Sequence, residues 1–181
     1  MIGKLLAAVA MLATLTLGAN WYYLDGPAAK VLARDQHNAD IVMRAYAKWL
    51  IDPRYLVLDL WSIDSDNSML DVDRIIFQIS SSLRDHSFET VTLAFRGRSR
   101  FILDGNYFAE LGSEFDAGRN PVSLIRTLPG NVKNPDGSHA FPTWSGRLLG
   151  VASQQMEDHN EFHRRWYAND MIEIMGSKQG G

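Results

Sequence analysis

Two histidines four residues apart, His159 and His163, are the residues in this sequence best spaced for chemistry. On a helix that spacing puts both imidazoles on one face. There they can chelate a metal ion together, or share acid–base work with a nearby carboxylate. The pattern departs from the H-E-x-x-H of zinc proteases. Asn160 stands where the general-base glutamate would be, and Glu161 comes one position late and points away from the pair. The segment also reads as a core helix, because Leu149, Ala152, Met156, Trp166, Tyr167, Met171 and Ile174 mark an apolar stripe that includes both histidines. A packed, hydrogen-bonded role is the expectation, and a metal-dependent hydrolase using His159 and His163 the alternative. Asp170 shares that face but lies two turns beyond His163, out of direct reach.

Arg96, Arg98 and Arg100 alternate. On a continuous strand all three would leave one face and form a basic stripe for phosphate, a phospholipid or an acidic polymer. With a turn at Gly97-Arg98-Ser99 they splay apart, and then they act as solvated charges that discourage edge-to-edge pairing. Asp64, Asp66, Asp71 and Asp73 gather before a helix, and Asp64-Ser65-Asp66 opens like a calcium loop. The glycine and bidentate glutamate such a loop needs are replaced by Met69 and Ile75, so capping and the helix dipole account for these acids. The segment from Pro129 to Thr143 holds three of the six prolines and carries Phe141, with Trp144 just beyond. A loop of that composition on a rigid scaffold is a candidate for partner recognition, and its aromatics tucking back onto the domain is the competing reading. Ligand contacts are therefore assigned to Arg96, Arg98, Arg100, Phe141 and Trp144, and a metal only to His159 and His163. No nucleophile elbow, phosphate loop or dinucleotide fingerprint occurs, and no cofactor is expected.

The elements that must position these residues follow from periodicity. Pro27 to Leu50 reads as one amphipathic helix, restarted by Asp25-Gly26-Pro27 and ended by Asp52-Pro53. Tyr55–Trp61 is a strand. Ser68-x-x-Asp71 caps a helix whose Val72, Ile75, Ile76, Ile79 and Leu83 form a regular stripe. Thr90–Phe95 and Phe101–Leu103 are strands, and Asp104 caps a short helix carrying Phe108, Leu111 and Phe115 that stops near Gly118. Pro121 starts a further turn, and Trp144 to about Met175 is a long last helix. The fold class is α/β (α+β): a small mixed three-stranded sheet packed by amphipathic helices, in a single domain over 25–176 with a flexible tail at 177–181.

Ahead of that domain, Leu5 to Leu24 is twenty residues without a charge, about 30 Å of helix and enough to cross a bilayer. Lys4 precedes the run, and Trp21, Tyr22 and Tyr23 end it where amphipathic rings favour the membrane boundary. Cleavage after Ala19 or Gly18 would put Leu17 or Thr16 at the −3 position, both poor, so residues 1–24 read as a retained signal-anchor rather than a cleaved signal peptide. There is no cysteine, which removes disulfides, thiolate metal sites and thiol catalysis. There is no Asn-x-Ser/Thr site. The net charge is −3, and Lys4 is the only charged side chain before Asp25, so the remainder is more acidic still and nucleic acid is not an expected partner. The resulting expectation is a single-pass protein of a bacterial inner membrane, its domain in the periplasm binding an envelope protein or polymer without catalysis.

Overall fold

In the computed structural model, which describes residues 2–64, 66–145 and 148–179, a single helix runs from Ile2 to Arg34. Its first part, α1 (Ile2–Asn20), buries none of its residues. A wider turn over Trp21–Asp25 closes with the Gly26 N–H donating to the Trp21 carbonyl, and α2 (Gly26–Arg34) continues. The expected break at Asp25-Gly26-Pro27 is absent. A proline ring collides with the carbonyl four residues before it in a regular α-helix, and the widened turn relieves that collision.

The expected helix over 27–50 ends at Arg34, and its second half is strand β1 (Val42–Lys48). Met43, Ala45 and Ala47 are buried, while Val42, Arg44 and Lys48 face water, a period of two hidden inside spacings that also suit a helix. β2 (Asp52–Ser62), β3 (Thr90–Phe95), β4 (Arg98–Asp104) and the two-residue β5 (Val132–Lys133) complete a sheet of five strands, not three, in the order β1-β2-β3-β4-β5. Only β2 and β3 run parallel, and α3 (Met69–Ser82) makes the crossover between them. α3 starts where the sequence places it, with the Ser68 N–H donating to the Asp71 carboxylate at 2.7 Å. α4 (Gly105–Asp116) opens on Asp104, which accepts from the N–H groups of Asn106 and Tyr107, and α5 (Pro121–Thr127) opens on Asn120. The last helix comprises α6 (Leu148–His163), a second widened turn over Arg164–Ala168, and α7 (Asn169–Gln179). It therefore covers part of the expected tail; residues 180 and 181 lie outside the described residues.

The helices pack on one face of the sheet. That face presents Leu56, Leu58, Leu60, Val91, Leu93, Phe95, Phe101 and Leu103, each at most 1% exposed, to Ile75, Ile76 and Ile79 of α3 and to Phe162 and Trp166 of the last helix. The other face carries Tyr46, Tyr55, Trp61 and Thr92 and is open. Along the outer edge, the Asn20 and Asp25 side chains accept from the β1 N–H groups of Ala47 (2.7 Å) and Ala45 (3.3 Å), and Asp25 also pairs with Arg44. The N-terminal helix thus occupies the donors of an otherwise free edge strand.

Candidate functional site

The histidine pair lies on the inward face of the last helix, opposite α3. His159 Nε2 is 2.6 Å from one oxygen of Asp73, and His163 Nε2 is 3.0 Å from the other. The two Nε2 atoms stand 3.1 Å apart. His163 Nδ1 faces the Tyr167 hydroxyl at 3.1 Å, one turn along, where the widened turn at Arg164–Ala168 begins. Asp73 and His163 are 0% exposed and His159 2%. Phe162, Trp166 and Tyr167 surround the His163 ring with centroids 4.9 to 6.2 Å away, and Trp166 donates its indole N–H to the Ala94 carbonyl of β3.

Asp73 accepts from the Nε2 groups of both histidines, and His163 Nδ1 shares a further hydrogen bond with the Tyr167 hydroxyl. His159 Nδ1 is buried with no hydrogen-bond partner among the described residues. Burial pushes the Asp73 carboxyl up, but the electrostatic pull of His163 and the hydrogen bonds from both histidines outweigh it, so the group sits below the usual carboxylate range. Burial, and then the charges of Asp73 and Asp71, raise the Tyr167 hydroxyl well above its ordinary value, so it stays a donor.

The same three side chains have the donor set for a divalent ion. Two imidazoles and a carboxylate supply three N and O ligands. Separations of 2.6, 3.0 and 3.1 Å lie near the ~3.3 Å edge of a tetrahedron built on ~2 Å bonds. Buried this deeply, such a centre would be closed off from a substrate in solution.

The residue that completes the cluster, Asp73, reads from sequence only as one of several acids at a helix start. Its signal was there in the position: it falls inside the apolar face of α3, as the histidines fall inside that of the last helix. Asp170, weighed as a distant neighbour of His163, instead pairs with Arg100.

The arginine run does not form one stripe. Arg96 and Gly97, both at positive φ, make a two-residue turn of the hairpin type between β3 and β4. Arg96 Nε donates to the Trp61 carbonyl at 2.9 Å, Arg98 is exposed at the start of β4, and Arg100 is tied to the last helix. Behind the turn sits a second buried carboxylate. Asp59, 1% exposed, accepts from Tyr46 Oη, Trp61 Nε1 and the Gly97 N–H, all at 3.0 Å; burial, and then this carboxylate, push the Tyr46 hydroxyl up to about 12. Phe141 is 6% exposed, packed on Phe101 and Phe162 with the Arg165 guanidinium 5.0 Å from its ring. Trp144 is half-buried and donates to Asp158 at 2.5 Å. The Pro-rich segment is short ordered structure: a helical turn at Pro129–Asn131, β5, and a bridge from Lys133 to His139.

No family model, curated protein or solved structure matches this chain.

Proposed function

We propose that this protein is a single-pass envelope protein of a bacterial inner membrane, whose domain stands in the periplasm as a non-enzymatic binding module for another envelope protein or polymer. The observation that carries the reading is the helix over Ile2–Arg34, apolar and fully exposed at one end and fastened to the sheet edge at the other. An exposed apolar helix of that length has bilayer as its natural solvent. The open sheet face supports the binding role: Val42, Arg44, Tyr46, Asp59, Trp61 and Gly97 line a cleft of about 570 Å³, with Trp61 48% exposed at its rim. Arg96, on the β3–β4 turn, and Arg98, at the start of β4, would add cationic contacts. Phe141, Trp144 and Arg100, packed or paired as they are, contribute less to such a surface.

Because the chain has no cysteine, a single introduced thiol reports its own location. In intact cells with a permeabilised outer membrane, an impermeant maleimide should label Lys133→Cys and not Gly3→Cys. The reverse labelling, or a mature N-terminus near Asn20, would overturn the topology. A photo-crosslinking residue at Trp61 should give a discrete adduct that one at Leu70, on α3, does not; identical patterns at both positions count against the sheet face.

A second reading has the Asp73–His159–His163 convergence behind it: a closed divalent-metal centre that ties α3 to the last helix. One equivalent of metal in the purified full-length protein, with a melting temperature that drops on chelation, supports it. No metal and no chelator effect remove it.

A further inference from the structure

The turn joining β1 to β2 is built from residues that turns avoid. Trp49, Leu50 and Ile51 are 74%, 39% and 69% exposed. Trp49 and Leu50 hold φ of +54° and +66°, the left-handed region where glycine, asparagine or aspartate normally sits. Two bulky side chains are strained there, and neither is part of the buried core. Such strain, kept at an exposed apolar tip, marks a surface whose partner lies outside the fold.

The tip's position says what that partner is. Asn20, the residue that ends α1, donates to the Leu50 carbonyl while accepting from the Ala47 N–H, so the turn is pinned beside the membrane end of the helix. Thr16, Ala19, Asn20 and Tyr23 of the helix face Leu50, Ile51 and Pro53 across an apolar cleft of about 560 Å³. Thr16 is one helical turn nearer the N-terminus than Asn20, so the tip reaches roughly 6 Å along the axis into the span's own territory. Trp21, Tyr22 and Tyr23, 57–67% exposed, ring the same level. At the base of the turn the Lys48 ammonium lies 4.9 Å from the Trp49 ring, placing a cation of the kind that anionic lipid headgroups attract beside the apolar tip.

We propose that the Trp49–Ile51 turn is a second membrane contact: it dips into the interfacial layer of the leaflet that α1 leaves, and lipid fills the cleft between turn and helix. This rests on the reading of residues 1–24 as a membrane span. Two points of attachment fix the domain's tilt, so that one orientation of the open sheet face is presented along the membrane.

The test uses full-length protein in phosphatidylethanolamine–phosphatidylglycerol vesicles, with an environment-sensitive fluorophore on single cysteines at Leu12→Cys, Ile51→Cys and Lys133→Cys. Lipids with nitroxide-labelled acyl chains serve as quenchers. The expected result is loss of fluorescence at 12 and 51 but not at 133, with a blue shift at 51. Quenching at 12 alone overturns the turn's membrane contact and leaves the span intact. Quenching at neither overturns the span and this proposal with it. A blue shift at 51 without lipid quenching assigns the tip to a protein surface, a second copy included, and also overturns the proposal. Trp49→Asn/Leu50→Gly suits the turn's backbone better than the native pair; adding it to Ile51→Cys should abolish quenching at 51 without lowering the melting temperature. Unchanged quenching in that variant would show that Trp49 and Leu50 do not make the contact.

Discussion

Asp73 is 0% exposed, and both of its oxygens are committed to imidazoles. Asp73→Ala leaves two imidazoles without their acceptor and should destabilise the domain by about 3–5 kcal/mol, the usual cost of removing one partner of a buried charged pair. Equilibrium denaturation measures this, and a loss under about 1 kcal/mol would show that the cluster is not coupled to folding. The pH dependence has a definite sign. The folded carboxyl titrates below its unfolded value, so its contribution is fully present above the unfolded pKa and is lost as pH falls through the folded one. Melting temperatures from pH 6 down to 2 should therefore fall less steeply in Asp73→Asn than in the native chain. At this scale the sequence showed the histidines and their shared face. It did not show that a carboxylate eighty-six residues away would meet them, because that contact joins two helices whose approach no local pattern encodes.

Among the elements, those legible in sequence were those with local punctuation. α3 has its Ser68–Asp71 cap and a regular stripe, α4 its Asp104 cap, and β2 and β3 their β-branched and aromatic runs. β1 was not legible. Its alanines favour helix, and it becomes a strand because β2 supplies a pairing partner and the core accepts Met43, Ala45 and Ala47. β5 is too short to carry a period at all. α3 and α4 also approach closely, where a Cβ on Gly112 would come within 2.6 Å of the Ser80 and Ser81 backbone. Gly112→Ala should force the helices apart and cost about 1–3 kcal/mol, as overpacking does. Denaturant midpoint reads this, and no change would mean that the two helices separate freely.

At the scale of the molecule, helix and sheet act as one body. Asn20 and Asp25 occupy edge N–H groups of β1, so the segment that follows the exposed apolar helix also covers the sheet edge. Asn20→Ala removes an acceptor from Ala47 and a donor to Leu50, and should cost about 1–3 kcal/mol while speeding amide exchange at Ala47. Unchanged exchange there would mean that the helix does not protect the edge. The sequence by itself determined the apolar N-terminal helix, the α/β class and the placement of two histidines on a buried face, because each depends on composition or on a period within one segment. The tertiary structure alone decided the rest: that the arginine run turns at Arg96-Gly97 instead of forming a stripe, that the helix continues through Pro27 to cover an edge strand, and that Asp73 joins His159 and His163. Each of these depends on which surfaces meet, and that is fixed by packing between segments rather than within them.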